Sequence, residues 1–254
     1  MLSPHMKYKA LICDYDGTLV TYGESNYPSE KVLSALRHAS EKVFVGIATG
    51  RPLFKLRYIL PHLPLTSPCI INGGAQIYDP KIDKIINEFP LENKDLEILK
   101  DKILELNLPL VINDGEKDYK IKSKLPKKSL GGFIYGLTSY QAEKILDFNY
   151  KVPSIALHKL RDWKEDKYEI NINHVAATKQ HGISEIAKIM GIETHEIISI
   201  GDSYNDFPLL MASGLRVAMG NAFSDLKEIA HYIAPSVQQD GVADVIQKFV
   251  CEEK

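Results

Sequence analysis

The chain predicts an α/β fold: a parallel-sheet core interrupted by an inserted α+β domain. Three observations predict it. Short apolar runs alternate with segments of helical apolar spacing at both ends of the chain, the pattern of βαβ units. Polar, chemically capable residues follow those runs. In the middle of the chain the texture shifts to paired strands with two helices. The core is therefore expected to comprise residues 1–79 and 176–254, and the insertion residues 80–175.

In order, Ala10 to Cys13 is a buried-type strand. Asp14 and Asp16 follow it, and Gly17 permits a sharp turn. Residues 22–28 are polar and read as a loop. Ser29 can cap a helix carrying Val32, Leu33 and Leu36. Residues 43–48 form a second strand, ending in Thr49-Gly50-Arg51. Pro52 suits the first position of a helix carrying Leu53, Leu56, Ile59 and Leu60. Cys69 to Ile71 is a third strand, ending in Asn72-Gly73-Gly74.

The texture changes at Asp79-Pro80. Residues 85–89 read as a strand and 91–106 as a helix. Residues 108–112 and 120–122 form a hairpin across Asp114-Gly115. Lys120 to Lys128 holds five lysines and reads as a solvated face. Gly131-Gly132 marks a loop. A helix over 139–148 and strands over 154–158 and 167–173 complete the insertion. The earlier style resumes at Thr178-Lys179. A helix carries Ile183, Ile186, Ala187 and Met190 and closes at Gly191. A strand over 196–200 ends in Gly201-Asp202-Ser203-Tyr204-Asn205-Asp206. A helix opened by Pro208, a strand over 215–219, a helix over 224–230, a short strand over 232–234 and a helix over 241–250 finish the chain.

Composition narrows the function classes. With 254 residues, 44% hydrophobic and 25% charged, the chain has an ordinary globular make-up. Its net charge of −2 gives no bulk attraction to nucleic acid or an acidic membrane, and neither is expected as a partner. Cys13, Cys69 and Cys251 are odd in number and far apart, which disfavours a disulfide framework or a zinc site and suits a reducing, cytoplasmic setting. No apolar run approaches the roughly 18 residues of a membrane span. The first residues lack a signal-peptide pattern, and residues 1–5 carry no structural signal.

The chemistry lies at the strand ends. In an open parallel sheet, ligands bind beyond the carboxyl ends of the strands. That geometry would gather Asp14, Asp16, Thr49, Asp202, Asn205 and Asp206 on one rim, with Lys179 at a helix start. Asp-x-Asp-Gly alone equally suits an acidic turn, and a Thr or Asp after a strand suits a cap. Together they suit an oxygen-ligand divalent cation, most simply Mg²⁺, and with Lys179 a phosphate. A carboxylate can then attack phosphorus while a second carboxyl moves protons.

These residues carry a family resemblance. Asp14-Tyr15-Asp16-Gly17-Thr18-Leu19 resembles the first motif of the haloacid dehalogenase-type phosphatases. Thr49-Gly50-Arg51 resembles the second, Lys179 the third, and Gly201-Asp202-Ser203-Tyr204-Asn205-Asp206 the fourth. The insertion resembles the type IIB cap of the Cof-type, sugar-phosphatase branch, on a Rossmann-like core. The resemblance implies Asp14 as nucleophile and Asp16 as general acid/base. It implies Thr49, Gly50, Arg51, Asn72 and Lys179 around the phosphate ester. It also implies Mg²⁺ held by Asp14, Asp202 and the Asp16 carbonyl, with Asn205 and Asp206 beside it. The substrate class implied is a small phosphorylated metabolite. Two departures stand out: Tyr15 is bulkier than the usual aliphatic residue, and Gly182 stands three residues after Lys179 rather than immediately.

Other readings share parts of this pattern. A phosphohexomutase would use the same chemistry within a sugar. A signalling receiver combines an Asp pair, a Thr and a Lys, but its phosphoacceptor ends a later strand and it lacks the insertion. A dinucleotide binder lacks support, because neither Gly-x-Gly-x-x-Gly nor a P-loop is present.

Overall fold

The computed structural model of the chain describes residues 7–23, 25–161 and 167–251; residues 1–5 lie outside them. In chain order the first elements are β1 (Ala10–Cys13), α1 (Glu30–Lys42), β2 (Phe44–Ile47), α2 (Leu53–Leu56), β3 (Cys69–Ile71), β4 (Gln76–Asp79) and β5 (Lys84–Glu88). Next come α3 (Asn93–Glu105), β6 (Leu110–Asn113), β7 (Asp118–Ile121), β8 (Gly131–Leu137), α4 (Ser139–Asp147), β9 (Ile155–Arg161) and β10 (Tyr168–His174). The last are α5 (Lys179–Met190), β11 (Ile197–Gly201), α6 (Phe207–Met211), β12 (Leu215–Ala218), α7 (Ser224–Glu228), β13 (Tyr232–Ile233) and α8 (Gly241–Ile246).

β1 reads as a continuous apolar run because both its faces are covered. It sits inside a parallel sheet of order β13-β12-β11-β1-β2. Leu11 and Cys13 belong to one apolar cluster, Ala10 and Ile12 to another, as period-two side chains require. α1 is started by Ser29, whose Oγ accepts from the Val32 N–H at 3.1 Å. It buries Val32, Leu36 and Ala39. α5 is started by Thr178 and ended by Gly191 at φ 65°, a left-handed stop that suits glycine.

A second sheet, antiparallel and of order β7-β6-β8-β10-β9, has its own apolar cluster. Leu96, Leu99 and Ile103 of α3 and Ile145 of α4 pack on Leu110, Ile112, Ile134, Ile170 and Ile172. Burying Ile170 and Ile172 against the helices turns Glu169, Asn171 and Asn173 to the other face.

Four details differ from the sequence reading. Gly131-Gly132 opens β8, in the middle of the second sheet, rather than a loop. A Cβ on Gly132 would stand 2.4 Å from the Val111 carbonyl oxygen, so the glycine serves close backbone approach. The helix after Pro52 stops at Leu56, with a 3₁₀ turn over Leu60–His62. Pro61 has no N–H to bond back to Arg57, so the α-helix is not continued through it. β3 meets the parallel layer only through an Ala48–Ile70 bridge, then enters an antiparallel β3-β4-β5 sheet. The expected boundary at residues 79 and 80 falls at the β4–β5 turn, between strands that pair with each other.

Candidate active site

β1, β2 and β11 run parallel, so their carboxyl ends share one edge. Asp14, Thr49 and Asp202 follow these ends directly or within two residues, and all three are buried. α5 supplies Lys179 as its first residue. Its ammonium donates to Asp14 Oδ1 and to Asp206 Oδ1, each at 2.6 Å, across 165 and 27 residues of chain. A cation at a helix start is unfavourable toward the dipole; the two carboxylates reverse that. Burial works against the charged ammonium, but Asp14 and Asp206 outweigh it and hold its pKa above the ordinary value.

Asp206 is fully spoken for. Its second oxygen accepts from the N–H groups of Asp202 and Ser203 at 3.0 Å each, which folds the turn after β11. Asp202 Oδ1 accepts from Thr18 Oγ1 at 2.9 Å. No described donor bonds Asp14 Oδ2 or Asp202 Oδ2, so these two oxygens remain open. Asp14, Asp202 and Asp206 lie within 4.8 Å of one another through their carboxylate oxygens. Burial, reinforced by Asp206, pushes the Asp14 carboxyl up. Burial and then Asp206 push Asp202 up to about 7. Three carboxylates against one ammonium leave an excess of two negative charges. Hard oxygen donors with that excess fit a divalent cation.

Gly17 builds the floor beside them. Its φ is +86°, and a Cβ there would stand 2.3 Å from Asp202 Oδ2. Gly17→Ala is therefore expected to displace Asp202 and weaken divalent-cation binding by at least about tenfold, the scale of losing a ligand's support. Calorimetric titration with Mg²⁺ checks it.

The Asp16 side chain stands outside the carboxylate cluster. Arg51 clamps it with two bonds, Nε to Oδ2 at 2.8 Å and Nη2 to Oδ1 at 2.5 Å. The guanidinium also lies 5.0 Å above the buried Tyr15 ring, whose hydroxyl donates to the Asn26 carbonyl. The bulky Tyr15 thus supports Arg51. Gly182, the displaced glycine after Lys179, lets α5 approach Ile70; a Cβ there would lie 2.6 Å from that side chain. Asn205 lies at the rim, its side-chain oxygen accepting from Ser203 Oγ.

Asp14, Asp16, Thr49, Gly50, Arg51, Asn72, Lys179 and Asn205 line one cavity of about 450 Å³. Asp202 and Asp206 are buried and do not line it. The facing wall comes from the second sheet. Asn72 exchanges amide bonds with Asn113 of β6 at 2.9 and 3.1 Å, and Lys55 pairs with Asp118 of β7 at 2.7 Å. Phe133, Asn171 and His158 stand side by side on β8, β10 and β9 and line the cavity. Burial lowers the His158 pKa, which keeps the imidazole neutral near pH 7.

Sequence reasoning misses the wall residues. The alternation Glu169-Ile170-Asn171-Ile172-Asn173 was the available signal: one strand face apolar, the other mostly amide. The lysines of the 120–128 stretch line no part of the cavity, and Lys128 pairs with Glu88 at 3.0 Å. Asn221 serves structure, donating to the Gly17 carbonyl at 2.8 Å and accepting from the Val237 N–H at 2.9 Å.

A parallel sheet with a buried acidic rim facing an antiparallel lid defines a class, and the comparisons agree with it. A family model described as haloacid dehalogenase-like hydrolase matches residues 11–130 and 116–246. The chain belongs to that family, which sets aside the receiver reading. It is 26% identical over 252 residues to 5-amino-6-(5-phospho-D-ribitylamino)uracil phosphatase YcsE of Bacillus subtilis, covering 95% of this chain and 96% of the relative. Its fold matches BT1666 of Bacteroides thetaiotaomicron with a TM-score of 0.83 at 20% identity, covering 98% of each chain. It also matches the HAD subclass IIB sugar phosphatase BT4131 with a TM-score of 0.77 at 22% identity, covering 95% of this chain and 98% of that one. No helix among the described residues is long and apolar enough to cross a membrane.

Proposed function

We propose that this hydrolase cleaves small phosphate monoesters through an aspartyl-phosphate on Asp14. The observation that carries the reading is the Lys179 ammonium held between Asp14 and Asp206 under a cavity of metabolite size. A carboxylate attacking a phosphate meets charge repulsion first, so a fixed cation beside the nucleophile is what the step requires. Asp14 attacks phosphorus as the ester oxygen departs with a proton from Asp16. Water then attacks phosphorus, giving its proton to Asp16, and Asp14 is released as carboxylate. Arg51 bonds both Asp16 oxygens in this structure, so Asp16 takes up a proton from solvent and leaves that clamp before it serves as the acid. Thr49, Gly50 and Asn72 would flank the phosphoryl group.

Asp14 and Asp202, each with one oxygen left open, would hold Mg²⁺, with the Asp16 carbonyl, Asn205 and Asp206 adjoining. When bound, such a cation supplies the remaining neutralisation of the phosphoryl oxygens. Proton and cation compete for Asp202, so Mg²⁺ affinity is expected to fall as the pH drops below about 7, by up to tenfold per unit. Titration of Mg²⁺ at pH 5.5, 6.5 and 7.5 checks this sign.

In this reading the antiparallel unit acts as a cap, and the Phe133–Asn171–His158 row meets the leaving group. A cytoplasmic setting suits the three free cysteines. The test is phosphate release from a panel of phosphorylated metabolites with Mg²⁺. Turnover of at least one small ester, stopped by excess EDTA, is expected. No release from any ester, or full release in EDTA, would overturn the reading or its cation.

A further inference from the structure

Tyr22 belongs to a stretch that reads as a plain loop, yet it lines the same cavity as Asp14, Thr49 and Lys179. Its ring edge lies over Gly17: a Cβ there would meet Tyr22 Cε2 at 2.5 Å and Asp202 Oδ2 at 2.3 Å. The ring therefore packs beside the Asp202 carboxylate. With 43% of the residue exposed, its side chain is accessible to a ligand entering that cavity. The hydroxyl donates to no described residue, whereas Tyr15 and Tyr232 each donate from theirs. A phosphoryl group entering over Asp14 would bring three oxygens into the cavity that the ring lines, as acceptors for the hydroxyl.

We propose that the Tyr22 hydroxyl is a ligand of the phosphoryl group, donating a hydrogen bond to one of its non-bridging oxygens. The inference rests on the phosphatase reading and adds a donor that the four motifs do not contain. It places that donor on the Asp202 side of the phosphoryl group, where the Gly17 backbone has no side chain to offer. The bond forms only with the occupied site, so the hydroxyl contributes to binding of the phosphoryl group and little to folding. It does not hold the cation, because a protonated phenol competes poorly with carboxylates for one.

The test is Tyr22→Phe, which keeps the ring packing and removes only the donor. Inorganic phosphate is titrated calorimetrically into Mg²⁺-loaded wild type and variant, Mg²⁺ alone is titrated into both, and ester hydrolysis is followed in parallel. Phosphate affinity and kcat/KM are expected to fall roughly tenfold, the scale of one hydrogen bond to a charged acceptor. Mg²⁺ affinity and thermal stability are expected to stay unchanged. Equal phosphate affinity in wild type and variant, with wild-type hydrolysis intact, would overturn the inference alone. A loss confined to Mg²⁺ affinity would overturn it too, assigning the hydroxyl to the cation instead. A wild type that neither binds phosphate nor releases it from esters would overturn both the inference and the reading beneath it.

Discussion

Asp14→Asn is expected to reduce phosphate release by more than about 10⁴-fold, since the variant lacks the oxygen proposed to form the covalent bond. The fold should survive. Asp14 is crowded by Asp206 and Asp202 and its carboxyl is pushed up by burial, so the ionised form is the uncomfortable one. An amide of the same shape removes that repulsion, while Lys179 keeps Asp206 as its partner. Thermal unfolding should therefore show no loss of stability in the metal-free variant. Activity within tenfold of wild type would assign the nucleophile elsewhere.

Lys179→Met is expected to remove activity to a similar extent and, unlike Asp14→Asn, to destabilise the protein. The ammonium is only 3% exposed and is the shared partner of two buried carboxylates. Removing one partner from a buried ion pair costs about 3–5 kcal/mol, because the other charge stays buried and unpaired. Urea unfolding measures it. The Asp14→Asn, Lys179→Met double variant should lose less than the single Lys179→Met variant, since one of the stranded charges is gone. Additive losses would mean that the two groups do not share a network.

The core and most of its rim were legible in the sequence for a physical reason. Strands buried on both faces must be apolar runs, so β1, β2 and β11 show themselves, and the polar residue after each is conspicuous. Parallel pairing then puts those residues on one edge whatever the loops do. Lys179 was legible through the family resemblance, because a lysine at a helix start is by itself unremarkable. The Arg51 clamp on Asp16 was not legible: the two residues lie 35 apart, and nothing local to either announces the other.

The second sheet was harder to read. Gly131-Gly132 carries a turn signature, and only the tight approach of the β6 backbone explains glycine inside β8. The cavity wall of Phe133, Asn171 and His158 depends on register between three strands, which no single segment encodes. Tyr22 lacked any periodic pattern, and its place over Gly17 follows from the turn that the positive φ of Gly17 creates.

The proposed chemistry turns on Asp14 itself taking the phosphoryl group. The most direct test is an acid-quenched single turnover of a hydrolysed ester, followed by peptide mass mapping. A transient phosphoryl adduct is expected on the peptide holding Asp14, and on Asp14 within it. An adduct on any other side chain, or a burst of leaving group with no protein adduct, would contradict it.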